Sequence, residues 1–168
     1  MTKRNVMITI TTSRVELAQS LFTEESDDAE LEEFDLPTDE DTEPTELLIE
    51  GRLITGRDRV ELVWDESELS GMAGSVTTLG FDRQTPGLIS MMRAGTVSTA
   101  MVFEAGKRHV SVYDTPFSSF QISVYTRDVE NALLSEGMIY LDYLIEVHGA
   151  AAERCVMTVS VKSNDPLF

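Results

Sequence analysis

Apolar residues in this chain recur at every second position, in short runs separated by turn formers. Val6, Ile8 and Ile10 alternate with Met7, Thr9 and Thr11; Val60, Leu62 and Trp64 alternate with Glu61, Val63 and Asp65. Val97, Thr99, Met101 and Phe103 do the same further on, as do Phe120, Ile122 and Val124. The last runs are Ile139, Leu141, Tyr143, Ile145 and Val147, then Cys155, Met157, Val159 and Val161. A period of two puts one set of side chains on each face of a strand, and it cannot line one side of a helix. Many of these residues are β-branched, which suits a pleated, half-buried surface. The chain therefore reads as all-β.

Segment by segment, about ten strands are expected, near 5–16, 46–55, 58–66, 72–82, 87–93, 96–104, 107–115, 117–127, 137–147 and 153–162. Short turns between most of them, such as Thr55-Gly56-Arg57-Asp58, favour sequential antiparallel hairpins. Asp128 to Leu134 offers one helical turn, with Asp128 as its cap and Gly137 beyond its end. One hairpin specifies a register. With Ala105-Gly106 at the turn, Glu104 lies opposite Lys107, Phe103 opposite Arg108, Met101 opposite Val110, Thr99 opposite Val112 and Val97 opposite Asp114. Val102 then meets His109 and Ser98 meets Tyr113, so His109 and Tyr113 are expected on a solvated outer face.

So many antiparallel strands in one domain must stack as two sheets or close into a barrel. Residues 1–168 are read as a single domain, an antiparallel up-and-down barrel. Only 7% of residues are aromatic, so the inward side chains are mainly Val, Ile, Leu, Met and Thr. Such side chains leave a wide barrel incompletely filled, and a cavity is expected. Flattening to about 10 Å between faces would close it.

Charge divides the chain in two. Glu24 to Glu46 holds 13 acidic residues in 23 positions and no basic ones, while the other 145 positions carry only −4 of the formal −17. Like charges, Pro37, Pro44 and scarce apolar surface predict a disordered insert, 24–46, between the first and second strands. Leu17, Leu21 and Phe22 sit at helical spacing just before it. Such an arm could dock on a basic protein partner or lie across the domain's own arginines. Its charge argues against nucleic acid or anionic lipid as partner. No apolar run is long enough for a membrane-spanning helix or a secretory signal. The one cysteine, Cys155, fits a reducing compartment, and the protein reads as cytoplasmic.

Four stretches carry a resemblance: Glu66-Ser-Glu-Leu-Ser-Gly-Met-Ala-Gly-Ser-Val-Thr-Thr, Met92-Arg-Ala-Gly-Thr-Val-Ser, Met101-Val-Phe-Glu-Ala-Gly-Lys-Arg-His and Tyr113-Asp-Thr-Pro-Phe. They are similar to the YwiB-like family of bacterial domains of unknown function, over residues 3–17 and 46–163, with the acidic insert as a departure. The resemblance implies a calycin-like β-barrel, related in shape to lipocalins and fatty-acid-binding proteins. It implies no reaction and no catalytic residues. Shape relatives often bind small apolar molecules, an analogy at the level of fold.

Motifs for chemistry are missing from the sequence. No nucleophile elbow, phosphate-cradling loop or dinucleotide fingerprint occurs. His109, His148 and Cys155 lack metal-ligand spacing, so neither metal nor organic cofactor is expected. Cys155 alternates with Met157 and Val159 and reads as a core residue; Trp64 reads as a core anchor. Arg93 shares the parity of Ile89 and Met91 at a strand end, where its guanidinium could meet a carboxylate or phosphate head group. Arg108, opposite Phe103, could do the same at another rim position. Met101, Phe103 and Tyr143 are the candidate lining residues. Three functions follow: a module binding a small apolar or amphipathic ligand, an interaction protein using the acidic arm, and an enzyme with His109, Tyr113 and Asp114 as acid or base groups.

Overall fold

The computed structural model describes residues 1–17, 43–67, 73–147 and 152–163. Within them lie β1 (Thr2–Glu16), β2 (Thr45–Thr55), β3 (Arg59–Asp65), β4 (Ser75–Asp82), β5 (Leu88–Gly95), β6 (Ser98–Glu104), β7 (Arg108–Asp114), β8 (Ser119–Ala132), β9 (Met138–Val147) and β10 (Glu153–Ser163). Each strand pairs antiparallel with the next, and β10 returns to β1, so the sheet closes as a barrel. The alternation in sequence becomes an inside and an outside. Val6 and Ile8 of β1, Leu62 of β3 and Leu141 of β9 are almost fully buried in one interior cluster. Most of the acidic stretch, with Leu21 and Phe22, falls outside the described residues, and so does His148. No helix among the described residues is long and apolar enough to cross a membrane.

Two aromatic rings meet inside the barrel. Phe103 on β6 and Tyr143 on β9 come from strands that are not neighbours, yet their ring centroids lie 4.8 Å apart at an interplanar angle of 55°. The end of β6 lies beside β8 at the Ala105–Thr126 bridge, and Thr126 is the ladder partner of Tyr143, so the two rings meet on the inner side of that fold in the sheet. The hollow expected from the scarcity of aromatics is narrowed where these two rings meet.

Two local expectations need correction. The helical turn is Leu133–Glu136, and β8 runs straight through Asp128 to Ala132 after a bulge between Thr126 and Asp128. Asp128 is no cap: Val129 and Asn131 find ladder partners in Leu141 and Ile139, and a continuous ladder outweighs an isolated turn of helix. Gly137 does end the turn in the left-handed region, at φ 73, with its N–H donating to Leu133 O.

The second correction concerns the β6–β7 hairpin. The turn itself forms as expected, with Gly106 at φ 78 and Lys107 N–H donating to Glu104 O over 3.0 Å. The register, however, is Ser98 with Asp114 and Thr99 with Tyr113, one residue away from the expected one. The turn is drawn onto β8, where Gly106 N–H donates to Thr126 O and Thr126 N–H donates to Lys107 O. A slip of one residue turns every side chain over. Val110 and Val112 consequently face out, 54% and 53% exposed, while Tyr113 packs against the core from inside and His109 shares its face.

Candidate functional site

At the end where β1, β3 and β5 finish, four side chains stand in a row fixed by ladder pairing: Trp64 opposite Thr77, Thr77 opposite Arg93, and Arg93 opposite Thr99. Glu66 follows β3 with the inward parity of Trp64, and its backbone N–H donates to Ser75 O. Its carboxylate gathers the row. Thr77 Oγ1 donates to Glu66 Oε1 over 2.6 Å and Trp64 Nε1 donates to the same oxygen over 3.1 Å. Arg93 Nη2 approaches that oxygen at 3.4 Å, while Arg93 Nε donates to Thr77 Oγ1 over 3.1 Å. The Glu66 and Arg93 side chains are only 3% and 12% exposed. Burying such a pair is costly, and its geometry and extra hydrogen bonds are what keep both charges in place.

This cluster faces a pocket of about 520 Å³ whose other walls include Ile10, Met91 and Met157. Arg14 stands at its rim, carried inward by the parity of Val6, Ile8 and Ile10. It is exposed, and it makes no hydrogen bond or ion pair with any of the described residues. One end of the barrel thus offers an apolar wall, a buried carboxylate, and at its rim the exposed Glu46 together with Arg14, a cation without a partner among the described residues.

Beneath the pocket, Tyr143 and Cys155 are paired across β9 and β10. Burial raises the Tyr143 hydroxyl well above its ordinary value, and the neighbouring thiol adds to this. Burial likewise pushes the Cys155 thiol up to about 11, against a smaller lowering by Arg14. A thiol so held is a core group rather than a nucleophile, as its place between apolar neighbours suggests.

Of the residues singled out from the sequence, Arg93 lies in the pocket wall. Met101, Phe103 and Tyr143 are inward but buried in the packed middle. Arg108 does not oppose Phe103 inside the barrel. It pairs with Tyr125, outside the parity of inward Val124, because β7 is slipped by one. His109 Nε2 lies 3.8 Å from Glu104 Oε1, and Asp114, on the other face from Tyr113, hydrogen-bonds Ser119. The three acid–base candidates are not brought to the pocket. Trp64 is the core anchor expected, 3% exposed.

Sequence reasoning missed Glu66, Thr77 and Arg14. Their signal was parity: Glu66 continues Trp64, and Arg14 continues Ile10. A charged residue at a strand end reads as solvated until the pairing of three strands is known.

The chain matches the family described as "Domain of unknown function (DUF1934)" over residues 31–159. It is also similar to a crystal structure of the ywiB protein from Bacillus subtilis, with a TM-score of 0.63 at 14% identity over 96% of this chain and 94% of that one. At that identity the likeness speaks for the fold, the same ten-stranded barrel. No curated protein matches the chain.

Proposed function

This chain belongs to the DUF1934 family, domains of unknown function, and from that premise we propose that it is a binding module whose ligand is a small, partly apolar molecule held at the Arg93 end. One observation carries the reading. A pocket of about 520 Å³ has an apolar wall of Ile10, Leu47, Met91 and Met157, polar residues such as Thr12 and Glu46 beside it, and a buried, hydrogen-bonded ion pair. The volume falls in the usual range for small-molecule sites, roughly 300 to 1,000 Å³, which combine apolar walls with a few converging polar groups. Stability alone gives little reason to bury Glu66 and Arg93, since well-packed apolar residues commonly do as well. A ligand that uses them does.

The test is titration with 1-anilinonaphthalene-8-sulfonate, an anionic apolar dye. Saturable binding of one dye per chain is expected, and Ile10→Trp, which fills the pocket from a half-buried wall position, should abolish it. Dye that fails to saturate, or that binds a folded Ile10→Trp protein equally well, overturns the reading.

A further inference from the structure

The two oxygens of Glu66 are not equivalent. Oε1 receives Trp64 Nε1, Thr77 Oγ1 and Arg93 Nη2, whereas no donor among the described residues reaches Oε2. The side chain is 3% exposed and lines the pocket, so this oxygen's open side is the pocket. A carboxylate only accepts hydrogen bonds. A ligand group that meets this oxygen must bring an N–H or O–H, and a second anion there would be repelled. At the rim the exposed Arg14 and Glu46 both line the pocket, and Arg14, which bonds to none of the described residues, is the group there that can take an anion.

Taking the binding reading above as its basis, we propose that the ligand is bipolar, with a hydrogen-bond donor at its deep end for Glu66 Oε2 and an anionic group at its outer end for Arg14. An amine or hydroxyl separated from a carboxylate by a short apolar stem meets both demands and lays the stem along Ile10, Met91 and Met157. A neutral donor can bond to this oxygen, and an ammonium group adds attraction to the carboxylate.

The test uses two matched series as displacers of the bound dye: straight-chain ω-amino carboxylates of four to eight carbons, and the unsubstituted carboxylates of the same lengths. A hydrogen bond to a buried charge is worth about tenfold or more in affinity. At one or more lengths the amino compound should displace dye at about a tenth of the concentration its partner needs. Glu66→Gln should remove that ratio, while Arg14→Ala should weaken both series and leave the ratio in place. The ratio in the unmodified protein decides even if Glu66→Gln does not fold. Dye that binds, is excluded by Ile10→Trp, and is displaced equally by both series at every length overturns the bipolar ligand and leaves the pocket reading intact. Absence of saturable dye binding overturns the pocket reading, and the bipolar ligand with it.

Discussion

Two pockets of similar size lie at opposite ends of this barrel, and they are built differently. At the Arg93 end, about 520 Å³ of space faces charged side chains that are themselves buried. At the other end, about 610 Å³ lies between the rim of β1, β2 and β10 and the helical turn Leu133–Glu136, with Leu133 driven into the core. None of the buried polar side chains among the described residues belongs to that second pocket. Volume would choose the helical-turn end. Converging buried polar groups choose the other, and they are the better guide, because a desolvated charge needs a partner and a dry apolar wedge does not. One end closes the fold; the other presents chemistry.

The largest effect that can break this division is Leu133→Ala. Leu133 is 5% exposed and wedges the helical turn into the barrel. Truncating it should cost about 2–5 kcal/mol of unfolding free energy in urea titrations, while dye affinity at the far end stays unchanged in protein that remains folded. A loss below about 0.5 kcal/mol would mean that the turn is an ornament on a barrel closed by other means.

The Arg93 end should behave in the opposite sense. Glu66→Leu removes the acceptor of three donors and leaves Arg93 with an uncompensated charge, so a loss of about 1–3 kcal/mol is expected. Adding Arg93→Met should restore most of it, since an apolar pair of similar volume commonly matches a buried ion pair. The double variant should keep its stability and lose its preference for amino displacers. If the double variant is as unstable as the single one, the pair is there to hold the wall together, and the contrast between the ends disappears.

How far this arrangement can be read from sequence depends on which interactions fix each part. Strand existence was legible because alternation is local: β1, β3 and β9 declare themselves in Val6, Leu62 and Leu141 without reference to any neighbour. Ladder order was legible because short turns force sequential pairing. Register was not. The valines of β7 point inward by pattern, yet two backbone hydrogen bonds between the 104–107 turn and Thr126 on β8 set the slip, and nothing in β6 or β7 announces a partner on a third strand. The site divides along the same line. Arg93 could be placed by parity on its own strand, but Glu66 becomes a gathering point only when Trp64, Thr77 and Arg93 are side by side, which takes three strands in register. Met101, Phe103 and Tyr143 follow the inward parity of their strands, but the packing of Phe103 on Tyr143 depends on β6 being drawn beside β8, which alternation along one strand does not reveal.

A smaller effect sharpens the boundary between pocket and core. Cys155 lies just beneath the Arg93 end, 2% exposed, with a thiol raised by burial to about 11. Its pKa is higher folded than unfolded, so its contribution to stability is complete below about 9 and declines as pH rises toward 11. Urea unfolding at stepped pH should show that decline, and Cys155→Ala should flatten it up to the range where Tyr143, shifted in the same direction, begins to matter. Native protein at pH 8 should also resist a thiol-specific disulfide reagent until denatured. Fast labelling of the folded chain would show that water from the pocket reaches the thiol and that the floor is not closed.

The smallest expected change in stability belongs to the residue expected to matter most for the outer end of a ligand. Arg14 sits on an inward position of β1, yet it is exposed and bonds to none of the described residues. Its long side chain has no bonded partner among the described residues, so removing it should shift unfolding free energy by no more than about 0.5 kcal/mol in either direction. The same substitution removes the rim cation facing an anionic dye, and affinity should fall several-fold, with the difference shrinking as salt screens the exposed charge. Arg4 supplies the matching experiment at the helical-turn end, where it lines the other pocket. Arg4→Ala should leave dye affinity and its salt dependence unaltered. Two arginines at two pocket rims of one β-strand then stand before different walls, Glu66 in one case and Leu133 in the other, and Arg4 has an interaction of its own; equal responses to their removal would mean that net charge, not the architecture of either end, governs what the barrel attracts.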